Sequence, residues 1–186
     1  MTITNNQISN SSKNILKSFV GQNLKTFSHE AFTFINISYG AVFLIINEKI
    51  YSFTDYYKIR KLIGYDEEIS YIQIKQVKQI KSTIENQDFV NENLNLKITK
   101  IELVNSIQTA VDKTTHKIYK TKDTHGIIFT FEDDYQLSLE KDDCGENIFI
   151  YRGYDARKEF DNLKAYLTEE YDENFEMSCE ITFEEI

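Results

Sequence analysis

Two-residue alternation broken by Asp, Gly and Asn, between His125 and Tyr151, HGIIFTFEDDYQLSLEKDDCGENIFIY, constrains the fold more than any other stretch of this chain. Ile127, Phe129 and Phe131 take every second position, Leu137 and Leu139 resume after Glu132-Asp133-Asp134, and Ile148, Phe149 and Ile150 close the run. Successive side chains of a strand point to opposite faces, so the pattern predicts three half-buried antiparallel strands joined by acidic turns. A second run, Phe175–Phe183, alternates almost without fault. Phe175, Met177, Cys179, Ile181 and Phe183 form one row against Glu176, Ser178, Glu180 and Thr182, which predicts a strand with one wet, acidic face.

The turns between such strands must be made without proline, since the chain has none, and with only 6 Gly in 186 residues. Asn, Asp, Ser and Lys have to shape them, through local side-chain hydrogen bonds. Apolar residues at 41%, with 13 Phe and 12 Tyr, are enough for a real core in one domain of ordinary length, which argues against global disorder. Two cysteines, Cys144 and Cys179, imply no disulfide framework. No secretory leader is expected, since no charged stretch followed by an apolar one stands at the start, and the longest apolar run, Ala41–Ile46, is too short to span a bilayer. A reducing cytoplasm is the expected setting.

Further elements are expected along the chain. Residues 1–12 read as a frayed polar arm, and Lys13–Val20 as a short helix stopped by Gly21. Phe32–Ser38, Ala41–Ile46 and Ile50–Phe53 read as strands, turning at Tyr39-Gly40 and at Asn47-Glu48-Lys49. Tyr56–Ile63 reads as a helix capped by Asp55 and ended by Gly64. A strand is expected from Ile69 to about Val77, then a loop at Gln87–Asn93. Leu94–Val104 should be a strand with a bulge near Thr99-Lys100, where the apolar residues change parity. Ser106–Thr115 reads as a loop or irregular edge, and His116–Lys120 with His125–Phe131 as a hairpin. Asp155 is placed as the cap of a helix with Phe160, Leu163 and Leu167 on one stripe. The expected fold class is α+β: residues 13–186 as a single domain, an antiparallel, meander-rich sheet with two or three short helices. Two meanders, each followed by a helix, hint at a weak division into halves, 13–100 and 101–186.

Charge divides the chain in the same place. Residues 1–100 carry 12 Lys/Arg and 9 Asp/Glu, whereas residues 101–186 carry 9 and 21. So acidic a second half argues against nucleic acid as a direct ligand, because phosphate contacts need Lys and Arg. It suits a basic protein partner, whose encounter it would accelerate. Solubility alone is the plain alternative.

No phosphate-binding loop, dinucleotide fingerprint, nucleophile elbow or zinc-helix motif occurs, so no catalytic residue is assigned. In the expected hairpin Lys120 pairs with His125, leaving His116 and His125 about 13 Å apart at ~3.3 Å per residue, too far to share a metal. Asp133, Asp134, Glu140, Asp142 and Asp143 are the best candidates for a divalent cation, yet they lack any ordered ligand spacing. Neither a metal nor another cofactor is assigned. Cys144, among Asp142, Asp143 and Glu146, is expected to be a poor nucleophile, and Cys179 to be core.

The function expected from these features is non-catalytic binding. An acidic inhibitor of the immunity-protein, antitoxin or phage anti-defence (anti-CRISPR) kind would block a basic partner, such as a nucleic-acid-processing protein. Its contact residues are expected among Asp133, Asp134, Glu140, Asp142, Asp143, Tyr154, Tyr171, Glu176 and Glu180, with neither nucleic acid nor membrane as direct ligand. The alternatives are a metal-dependent hydrolase using the Glu132–Asp143 carboxylates, and a structural or assembly domain.

Overall fold

The computed structural model describes residues 1–30, 36–62, 65–82, 88–142, 147–169 and 173–186. Its spine is β7, Phe89–Asp112, a 24-residue strand long enough to belong to two halves of one sheet. Through Phe89–Lys97 it pairs with β2 (Asn23–Glu30). Beyond Ile98 it pairs with β8 (Ile118–Phe131) on one side and β11 (Phe175–Glu185) on the other. The change of neighbours coincides with the expected bulge, since the β7–β8 register shifts between Ile98 and Lys100. A bulge there re-aims the strand, so that Ile98, Ile101 and Leu103 all reach one core.

The remaining strands are β3 (Ile37–Tyr39), β4 (Ala41–Ile46), β5 (Lys49–Leu62), β6 (Tyr65–Val77), β9 (Gln136–Lys141) and β10 (Asn147–Gly153). They extend the sheet in the order β3-β10-β9-β8-β7-β2-β4-β5-β6. The β8-β9-β10 meander is the one read from its alternation. The β4–β5 turn is also where it was expected, with Asn47 and Glu48 both at positive φ (49° and 61°), as a tight hairpin turn requires. The fold is α+β: a large antiparallel sheet with two helices, α1 (Asn10–Lys17) and α2 (Leu163–Glu169), and a 3₁₀ turn at Ala156–Phe160.

The sheet folds over on itself. Leu44, Phe53 and Ile74 from one half meet Phe129, Leu139 and Ile150 from the other in a single buried cluster. On the opposite side of the meander half, Ala156, Phe160, Leu163 and Leu167 cover Val104, Ile128 and Cys179. The fold-over is completed by side chains. The Ser12 hydroxyl of α1 bonds to both Ile74 N–H and Ile74 C=O, and Lys141 Nζ donates to Ser70 O at 2.9 Å. Tyr71 Oη donates to Asn6 Oδ1 at 2.7 Å. Polar groups along the last strand of the order thus find partners across the seam, as buried backbone groups must.

Several expectations are corrected. Thr2–Asn6, read as part of a frayed arm, is a strand, β1, pairing in parallel with Tyr119–Asp123 of β8. Ser12 is buried, and the first helix begins earlier than expected, at Asn10, with Ser9 as its N-cap. Residues 56–62, read as a helix, lie in β5, whose pairing with β6 runs from Ile50 to Leu62 without a shift. Thirteen cross-strand pairs override the cap at Asp55 and the stop at Gly64 that suggested a helix. Asp55 does not cap a helix there; it accepts from Ser70 Oγ at 2.6 Å. Ser106–Asp112, read as a loop or irregular edge, is interior strand, pairing with β8 on one side and β11 on the other; Ser106 also bonds His125 Nε2 (2.9 Å) and Gln108 the Leu167 carbonyl (3.1 Å). Residues 89–93, also read as loop, begin β7. His116 and His125 are not on two arms of a hairpin, since 118–131 is one strand and Lys120 pairs with Thr109. Asp155 makes no capping bond, and the expected helix is split at residues 161–162. Among the described residues, no helix directly follows the first meander.

Candidate binding surface

The β8–β9 turn, the end of β10 and the start of the 3₁₀ turn meet at one end of the sheet. Asp134 occupies a left-handed conformation (φ 65°), and Asp133 Oδ1 accepts from Tyr135 N at 3.2 Å, which folds the turn tightly. Tyr135 stacks on buried Phe131 and meets Tyr154 edge-on, with ring centroids 5.7 Å apart. Tyr154 remains 70% exposed, so an aromatic ring is held up to solvent against the turn that carries the two carboxylates. Among the described residues, no cation lies within ion-pair reach of Asp133 or Asp134.

Behind this surface lies a cluster that no sequence pattern announced. Arg152 of β10 grips Glu92 of β7 with Nε at 2.8 Å and with Nη2, while its guanidinium stands 5.0 Å from the centre of the Phe27 ring. The same Nη2 donates to His29 Nε2 at 3.3 Å, and His29 Nδ1 lies 3.0 Å from Glu30 O. Nε2 also stands 3.4 Å from Glu92 Oε1. Residues far apart in the chain here brace β2, β7 and β10 against one another. Burial pushes the Tyr135 phenol above its ordinary range; Arg152 opposes that, while Glu92, Tyr154 and Asp133 add to it.

The other candidate carboxylates lie elsewhere. Glu140 and Asp142 are at the far end of β9 from Asp133 and Asp134, about 20 Å away at ~3.3 Å per residue. Asp142 is engaged by Asn147 Nδ2 at 2.8 Å. Glu176 and Glu180 are exposed on β11. Register places Glu180, Ile107 and Lys122 in one row and Ser178, Thr109 and Lys120 in the next, so cations stand two strands from these glutamates. Asp143, Cys144 and Tyr171 lie outside the described residues. The expected contact residues thus fall into three groups, of which only Asp133, Asp134 and Tyr154 converge.

Among the described residues there is no group of three or more His, Cys, Asp or Glu side chains placed to hold a metal, and no helix long and apolar enough to cross a membrane. Cys179 is buried in the layer beneath α2; burial pushes its thiol up, Lys164 opposing and Glu180 adding. No protein-family model, curated protein or solved structure matches the chain.

Proposed function

We propose that this protein is a non-catalytic, acidic binding protein that occupies the basic surface of a protein partner, in the manner of an immunity protein, antitoxin or phage anti-defence inhibitor. The observation that carries the reading is the exposed Tyr154 ring, braced by Tyr135 of the turn that carries Asp133 and Asp134, which have no cation of their own among the described residues. A braced tyrosine supplies contact area at little cost in side-chain entropy, and unpaired carboxylates supply the sign of charge that a nucleic-acid-binding protein presents a counterpart for. The Glu92–Arg152 pair behind the ring supports the same use, because it fixes the strands that carry the surface.

A photo-crosslinking amino acid at Tyr154 is expected to capture a basic protein that the same group at Lys75, on the remote strand β6, does not. With that partner isolated, stopped-flow association should slow about 10-fold or more as salt is raised from low to physiological strength. The double reversal Asp133→Lys/Asp134→Lys should slow it again. A rate indifferent to both would overturn the electrostatic reading.

A further inference from the structure

The strand β11 pairs with β7 through eleven consecutive residues without a register shift. It contains no proline and no bulge, two of the devices that protect an edge. Among the described residues, no strand pairs with its other side. Such an edge presents a row of backbone donors and acceptors to any extended chain that reaches it.

A groove of about 490 Å³ runs beside this edge, lined by Phe160, Asp161 and Lys164 of the helical layer and by Cys179, Glu180, Ile181 and Phe183 of the strand. Glu180 points to the opposite face from Cys179 and Ile181. Because residues of both faces line the groove, it opens onto the unpaired edge itself. An added strand would therefore send every second side chain into a cleft floored by Phe160, Ile181 and Phe183. Its alternate side chains would lie beside Glu176 and Glu180. These two carboxylates have no ion pair among the described residues, whereas Glu184 is held by Lys13 Nζ at 2.9 Å.

We infer that the free edge of β11, with its groove, is a strand-addition site for an extended partner segment that alternates basic and apolar residues. Charge selects this occupant over a second copy of the chain, since edge-to-edge pairing of two copies would gather the Glu176 and Glu180 carboxylates of both on one face. The inference deepens the proposed function, resting on it only for the basic character of the partner.

The probe is a labelled peptide, acetyl-Lys-Val-Lys-Ile-Lys-Val-Lys-amide, titrated with the full chain and read by fluorescence anisotropy. Its match is the same peptide N-methylated at alternate residues, which keeps the charge and removes the hydrogen bonds of one edge. Binding is expected for the first peptide and lost for the second, with slowed amide exchange at 175–183 in the complex. Glu176→Lys/Glu180→Lys should weaken the binding about tenfold or more. Equal affinity for the two peptides would reduce the site to charge attraction and overturn strand addition, as would no binding at all. A concentration-dependent dimer abolished by Glu180→Lys would overturn the choice of occupant. Should the peptide fail while the Tyr154 crosslink still captures a basic protein, strand addition falls and the broader reading stands.

Discussion

The hydroxyl of Ser12 accepts a hydrogen bond from Ile74 N–H and donates one to Ile74 C=O, each at 3.2 Å. One small side chain on α1 thereby satisfies both backbone groups of a residue in the last strand of the sheet order, where, among the described residues, no further strand follows. Both residues are buried, so water is a poor substitute for either bond.

Ser12→Ala should accordingly destabilise the protein by about 1–3 kcal/mol, the cost of leaving a buried donor and acceptor unsatisfied. Ser12→Thr, which keeps the hydroxyl, should cost less. Urea unfolding followed by circular dichroism measures both; an alanine variant as stable as the parent would mean that the seam draws nothing from these bonds.

Lys141 makes the second contact across the seam. Its ammonium is fully buried, 2.7 Å from Asp123 Oδ2 and 2.9 Å from the Ser70 carbonyl. Removing one partner of a buried ion pair strands the other, so Lys141→Met should cost about 3–5 kcal/mol. Adding Asp123→Asn to that variant removes the stranded charge and should restore part of the loss. A double variant no more stable than Lys141→Met alone would show that packing, not the unpaired carboxylate, sets the cost.

Glu102 makes stability depend on pH. Burial pushes its carboxyl up from the ordinary 4.5, but bonding from Arg157 and Lys100, with their charges, outweighs burial and holds it lower. Lys100 Nζ stands 3.0 Å from Oε2. A group whose folded pKa is depressed stabilises the fold above its unfolded value, and that contribution disappears as pH falls through the folded value. Stability should therefore decline below about pH 4.5, the ordinary carboxyl value, and Glu102→Gln should flatten that part of the profile. Unfolding free energies across the acid range test it; parallel profiles for parent and variant would exclude Glu102 as the source.

What could be read from the sequence followed from how local its cause was. The β8-β9-β10 meander, the Asn47-Glu48 turn and the bulge near Thr99 are set by near neighbours and by alternation, and each lies where the residues put it. Residues 56–62 and 106–112 misled because their polar side chains are answered from afar: Arg60 Nε by Tyr71 Oη, Ser106 by His125, Gln108 by Leu167. The surface was legible in part. Asp133, Asp134 and Tyr154 were among the expected contacts, yet Tyr135, which braces the ring, was not, and Arg152, Glu92 and His29 meet only through strand order.

The long strand β7 also bears on how fast the molecule reaches its native state. Its pairing with β8 spans a short turn, closed by His116 N donating to Asp112 O and by Asp112 Oδ1 accepting from Thr114 N and Thr115 N, so that hairpin forms from local contacts. Its other neighbours come from far along the chain: Asn23 opposite Lys97, Phe175 opposite Asp112, and, across β8, Thr2 beside Tyr119. Closing loops of that length precedes any reward in contacts, which places folding in the millisecond-to-second range of non-local β topologies. The hairpin of β7 and β8 is therefore expected to form first, with β2, β11 and β1 joining it afterwards.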